Sequence, residues 1–114
     1  MNDGERAVLL LVTAGGRDEA ERLGEGLVTR RLAACGTVIP MVHSFYFWEG
    51  GLKRDHEALL LVKTSAARAE AAITYVREHH SYELPEVLQL GIEGGSAPYL
   101  EWLLKEVGET PGST

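Results

Sequence analysis

The chain carries a single cysteine, Cys35, in 114 residues. One thiol excludes an intramolecular disulfide and any zinc site built from a cysteine pair within one subunit. Positive charge is also scarce: 11 Lys and Arg stand against 17 Asp and Glu, a formal net charge of −6. A nucleic-acid binder needs a basic stripe to neutralise phosphates, so no nucleic-acid partner is expected. No apolar run approaches the roughly 20 residues that span a bilayer, so no membrane partner is expected either. Residues 1–6 lack the basic and long apolar stretches of a signal peptide, which makes the cytoplasm the expected location. No Ser-His-Asp arrangement, dinucleotide fingerprint or phosphate-cradling glycine loop is present, and Gly15-Gly16 without a lysine is a weak anion signal. The chain is therefore read as not an enzyme.

What is present is ordinary globular usage, 45% apolar and 25% charged, at the size of one domain. The domain is expected to fill 1–114, with its core over about 7–107 and a flexible tail over 108–114. It can bury a core without metal or disulfide, so no cofactor is required for folding.

Ala7-Val8-Leu9-Leu10-Leu11-Val12 has no alternation and reads as a central strand covered on both faces. Asp18 and Glu21 have capping-box spacing ahead of Ala20, Leu23, Leu27 and Val28, which predicts a helix over 18–32. Residues 36–48 are β-rich, with Pro40 marking a bulge or an edge. Glu49-Gly50-Gly51 is a hairpin turn, and the chain returns over 53–63. Ser65 caps a second helix with Ala69, Ala72, Ile73 and Val76 inward, ending near His79-His80. Residues 87–93 alternate, which predicts a strand with Leu88, Leu90 and Ile92 on its buried side. Ser96 caps a last helix with Leu100, Leu103, Leu104 and Val107 inward.

The order βαββαβ plus a terminal helix is the ferredoxin-like α+β arrangement, an antiparallel sheet with an extra C-terminal helix and a long central hairpin between the second and third strands. Two helices cover only one face of such a sheet. Hairpin arms of about 10–12 residues outreach them, and an isolated ribbon is marginal in water. Phe45, Tyr46, Phe47 and Trp48 in a row put rings on both sides of that ribbon, while Trp102 lies off the inward stripe of the last helix. These features predict self-association without fixing its number.

Arg31-Leu32-Ala33-Ala34-Cys35, Ile39-Pro40, Tyr46-Phe47-Trp48-Glu49-Gly50, Lys63-Thr64, His80-Ser81-Tyr82-Glu83-Leu84-Pro85-Glu86 and Tyr99-Leu100-Glu101-Trp102 occur in this order. Together they resemble the CutA family of divalent-cation tolerance proteins over roughly 7–105. The resemblance implies a tight homotrimer of ferredoxin-like subunits, similar in outline to the trimers of PII signalling proteins. It also implies a part in tolerance to divalent cations, copper especially. The metal ligands it implies are a strand cysteine, whose place is taken here by Val12, and a pair matching His79-His80. Ser81 stands where the family pattern usually has proline. Loss of the cysteine argues against tight Cu(I) binding, because soft thiolates select that ion.

Two site readings follow. His79 and His80, with Glu83 and Glu86 near in sequence, are the candidate weak site for Cu(II) or another divalent cation. The alternative is that both histidines favour a helix C-terminus, where positive charge meets the dipole. Lys63, Tyr82, Tyr46, Trp48 and Trp102, with Glu83 and Glu86 beside them, are candidates for an inter-subunit cleft. Such a cleft either binds a small ligand, as in a PII-like sensor or scaffold with no physiological metal, or is a plain interface network. Cys35 is expected to be a buried, inert thiol.

Overall fold

The computed structural model describes residues 6–108. Along the chain lie β1 (Ala7–Ala14), α1 (Arg17–Thr29), β2 (Cys35–Trp48), β3 (Gly51–Ser65), α2 (Ala66–His79), β4 (Val87–Gly91) and α3 (Ala97–Val107). The sheet is antiparallel with strand order β2-β3-β1-β4, which is the expected ferredoxin-like α+β arrangement. The expected tail falls mostly on 109–114, outside the described residues.

α1 and α2 cover one face of the sheet. Val8, Leu10, Val12 and Ala14 of β1 and Ala58, Leu60 and Val62 of β3 point into this layer and are buried. All of these but Val8 meet Leu23 and Leu27 of α1 and Ala72 and Val76 of α2 in one cluster. The expected capping box does not form. Gly16 is the N-cap, and Glu19 reaches back to accept from the Gly15 amide at 2.9 Å. α1 ends at Thr29 rather than 32 because Arg31 adopts the left-handed conformation (φ 59°). Its amide donates to Val28 O and that of Leu32 to Leu27 O, the paired closure of a Schellman end. Ser65 caps α2 as the sequence implies, accepting from the Arg68 amide.

The other face is covered only at one end. There α3 buries Leu103 and Val107 against Ala7 and Ala34. The Arg68 guanidinium ties the end of α3 down through the Val107 and Gly108 carbonyls. The rest is open, and β4 corrects the expectation drawn from its alternation. Leu88 and Leu90 pair with Leu11 and Leu9 on the open face and remain 54% and 46% exposed. Alternation identifies an apolar side, but not whether the chain's own helices reach it.

The hairpin is longer than expected, with 14 residues in β2 and 15 in β3. β1 pairs with β3 only from Ala58 onward, so 51–57 and 42–48 form a ribbon with no third strand. The molecule is accordingly drawn out to 50 Å along its long axis, against 26 and 22 Å across. Phe45 and Phe47 lie on one side of the ribbon, Tyr46 and Trp48 on the other, all exposed. The tip is a two-residue turn, Glu49-Gly50, with both φ angles positive (51° and 82°). That is the turn geometry whose twist suits a hairpin, and only glycine adopts it without strain. Gly50→Ala is expected to destabilise the chain by about 1 kcal/mol, measured by urea unfolding. An unchanged midpoint would mean the turn does not hold the ribbon in this register.

Candidate functional site

Where α2 ends, the chain turns back across the sheet through 80–86 and is pinned by polar contacts. His80 is the C-cap of α2, and its side chain is fully buried. Its Nε2 lies 2.7 Å from the Thr13 carbonyl, and its Nδ1 lies 3.0 Å from the Tyr82 amide. A carbonyl accepts and an amide donates, so Nε2 carries the proton and the ring is neutral. Both nitrogens are thereby committed. Glu19, also buried, gathers three donors. Its Oε1 accepts from the Gly15 amide and Ser81 Oγ, both at 2.9 Å, and its Oε2 accepts from the Ser81 amide at 2.7 Å. Burial opposes ionisation of Glu19, but these hydrogen bonds outweigh it and hold the carboxyl below its ordinary value of 4.5.

Beside this knot, Tyr82 crosses to the open face, where its hydroxyl donates to Glu57 Oε2 at 2.8 Å. Burial, reinforced by the Glu57 carboxylate, pushes the Tyr82 phenol well above the usual tyrosine range. One strand position further along this face of the ribbon, Tyr46 donates to Asp55, and that bond raises the Tyr46 phenol as well. A cleft of about 840 Å³ opens here, lined among others by Tyr46, Trp48, Asp55, Glu57, Tyr82 and Glu86. Its wall is aromatic and acidic, so what it can hold is a cation or a donor-rich organic group.

The candidate residues from sequence are thus partly brought together. Tyr46, Trp48, Tyr82 and Glu86 share the cleft. Lys63 and Trp102 belong to a second corner: the Lys63 ammonium sits 5.8 Å over the Tyr99 ring, and Tyr99 packs against Trp102. Cys35 lies in that corner, half-buried, with its Sγ 3.8 Å from Lys63 Nζ. It faces the open side of the sheet and not the core, because Cys35 pairs with Lys63 on the side the helices do not cover.

His79 and His80 are not brought to one point. The His79 ring is exposed, stacked on Tyr75, with Nδ1 2.8 Å from the Tyr75 carbonyl. His80 points into the molecule, and its two nitrogens hold the backbone of Thr13 and Tyr82, which does not fit a metal ligand. Glu83 and Glu86 are exposed, and Val12 is fully buried in the helix-covered layer. Among the described residues no group of three or more His, Cys, Asp or Glu side chains is placed to hold a metal ion. Sequence reading missed Glu19, Asp55 and Glu57. Glu57, directly ahead of the apolar run 58–62, was the legible signal, since a carboxylate entering a buried strand needs a partner.

Removing the Glu19 carboxylate leaves three part-buried donor groups without their acceptor. Glu19→Ala is expected to cost about 2–4 kcal/mol near neutral pH. A folded-state carboxyl held below its unfolded value contributes stability that is present above 4.5 and lost as pH falls through the folded value. The stability gap between the wild type and Glu19→Gln should therefore shrink from about pH 6 to about pH 3 in urea titrations. A gap that stays constant with pH would show that Glu19 ionisation is not linked to folding.

The comparisons with known proteins agree on kinship. The family profile described as CutA1 divalent ion tolerance protein matches residues 8–106. The divalent-cation tolerance protein CutA of Pectobacterium atrosepticum is 40% identical over 97 residues, 85% of this chain and 88% of that protein. The chloroplastic protein CutA 1 of Oryza sativa is 36% identical over 104 residues, 91% of this chain, which spans only 59% of that relative's length. The crystal structure of CutA1 from Oryza sativa superposes with a TM-score of 0.89 at 34% identity, covering 96% of this chain and 100% of the other. Sequence order, fold and hairpin architecture converge with these matches, and the chain belongs to the CutA1 divalent ion tolerance family.

Proposed function

We propose that this chain acts in divalent-cation tolerance as a homotrimer in the cytoplasm, with copper foremost among the cations, and that it holds them weakly at exposed imidazole rather than in a closed cage. The observation that carries the assembly is the open sheet face. Leu88 and Leu90 stand exposed there beside half-buried Leu9, Leu11, Leu59 and Leu61. A contiguous apolar surface of this kind is what subunits bury against one another. Trp48 and Trp102 sit at opposite ends of the molecule, 47% and 44% exposed, and are the residue type that anchors interfaces. The protruding ribbon supplies the reach to a neighbour. The number three follows from the family resemblance.

The cation half of the proposal rests on the names of the relatives and on residue chemistry. His79 keeps its Nε2 directed away from the Tyr75 carbonyl that engages Nδ1, and Glu83 and Glu86 supply nearby negative charge in the chain. Imidazole suits Cu(II) and Zn(II), and a lone exposed ring gives labile binding. His80 serves by holding the 80–86 turn in place. A second reading, a trimeric small-ligand sensor or scaffold with no physiological metal, is favoured by the cleft of about 840 Å³ between Tyr46, Trp48 and Tyr82.

Light scattering of the purified protein should return three times the chain mass of 12.4 kDa. Leu88→Asp combined with Leu90→Asp should bring it down to a single chain. A monomeric wild type at micromolar concentration overturns the assembly. Cells deprived of the protein should lose growth in copper that a wild-type copy restores; equal growth with and without it would leave the sensor reading in place instead.

A further inference from the structure

His43 and His56 face each other across the ribbon, directly paired between β2 and β3. Their ring centroids are 4.6 Å apart, with the ring planes at 71°. Both residues are exposed, and among the described residues neither ring makes a hydrogen bond, unlike those of His79 and His80.

The pairing belongs to the outer register, which a bulge offsets from the inner one. Ile39 pairs with Leu59, but Val42 pairs with Glu57, so β2 advances three residues where β3 advances two. The extra residue inverts which side of the ribbon each later β2 side chain takes. Counted without it, His43 would stand opposite Asp55 on the other side of the ribbon. Pro40, with no amide to donate, sits inside the bulge, where its missing bond costs nothing to the ladder.

The spacing fits a metal. An imidazole nitrogen bound at about 2.0–2.1 Å puts its ring centre about 3.2 Å from the ion, so two rings subtending about 90–110° have centres about 4.5–5.2 Å apart. The observed 4.6 Å lies inside that interval. The torsion that aims an imidazole is broad, so the edge-to-face pair reaches a chelating pose by ring rotation on a fixed strand framework. Solvent has room to complete the coordination, because His56 borders a groove of about 690 Å³ between the start of α1 and the bulge, with Met41 on its wall.

We propose that His43 and His56 form a two-imidazole chelate on the ribbon that takes a borderline divalent cation, copper(II) ahead of zinc(II), with water filling the remaining positions. Imidazole pairs suit these ions, and copper(II) leads zinc(II) in affinity for any such donor set. The inference rests on the cation half of the proposed function and gives it a two-imidazole site, where the His79 end offers a single ring.

The test is copper(II) titration of the full chain by calorimetry, with paramagnetic resonance of the bound ion and solution mass recorded on the same samples. The expected result is saturable binding of one ion per chain with hyperfine structure from two nitrogens. Affinity should fall at least about tenfold in His43→Asn and in His56→Asn, while His79→Ala stays within about twofold of wild type. Zinc(II) added to the wild type should shift the ring protons of His43 and His56 in nuclear magnetic resonance spectra, a readout that needs no variant to fold. Copper affinity unchanged in both ribbon variants, or lost only in His79→Ala, overturns the chelate and leaves the cation reading standing. No saturable binding by an intact trimer overturns both the chelate and the copper half of the proposed function. A monomer that still binds through His43 and His56 upholds the chelate and overturns only the assembly.

Discussion

β3 pairs with β2 along nearly its whole length and with β1 only from Ala58 onward. That difference in length governs much of the rest. The inner half of β3 is a central strand, so Ala58, Leu60 and Val62 are buried under α1 and α2. The outer half has one neighbour and no covering helix, so it becomes a ribbon that carries its aromatic side chains into solvent. Glu57 sits at the boundary, where the sheet narrows from a covered structure to an uncovered one. A buried carboxylate at that point is tolerable because the Tyr82 hydroxyl reaches it. The cleft and the ribbon both begin where β1 runs out.

Much of this was legible in the sequence because it rests on period and punctuation. The central strand over the apolar run 7–12, the Ser65 cap, the Pro40 irregularity and the Glu-Gly-Gly turn each have a local physical cause and reappear in the structure, although β1 is covered on one face and its Leu9 and Leu11 line the open one. What was not legible depends on which of two equivalent surfaces another element occupies. Leu88 and Leu90 alternate as a buried strand should, yet they face away from α1 and α2, since sequence period carries no label for the side of the sheet. Cys35 was misjudged for the same reason. The His43–His56 pair was invisible because adjacency across strands depends on register, and here one bulge residue alters register. Asp18 and Glu21 had the spacing of a capping box, but Gly16, with its extended backbone, takes the N-cap and leaves Glu19 to close the turn.

The knot around Glu19 depends on the residue at position 81. With proline at 81, neither the backbone amide nor the hydroxyl that now donate to Glu19 would exist. Ser81 supplies both, so α1, the end of α2 and the strand end at Thr13 are joined through a carboxylate and an imidazole. The join is polar, fully satisfied and short in reach, and it fixes the root of the segment that carries Tyr82 to the cleft. A histidine at a helix C-terminus is commonly explained by attraction to the dipole. His80 has a more specific task, because a neutral ring with one donor and one acceptor bridges two backbone groups that point at each other.

The bulge at Pro40–Met41 also sorts the chemistry of the ribbon. On the side continuous with the open sheet face stand Tyr46, Asp55 and Glu57, groups that accept or donate hydrogen bonds and favour cations by charge. On the opposite side stand His43, His56 and Arg54, with the Arg54 guanidinium 5.5 Å over the Phe45 ring. Had the register of Ile39 with Leu59 continued outward unbroken, His43 would stand opposite Asp55 among the carboxylates, and the two histidines would be on different sides. The offset register therefore sets Tyr46, Asp55 and Glu57 on one side of a structure two strands wide and the two histidines on the other. The outer register itself is held by the two-residue turn, which pairs Trp48 with Gly51, so deletion of a bulge residue would leave Val42 opposite Glu57 and His43 opposite His56. The turn fixes which side chains share each side of the ribbon, and the bulge reconciles that register with the one the inner sheet requires.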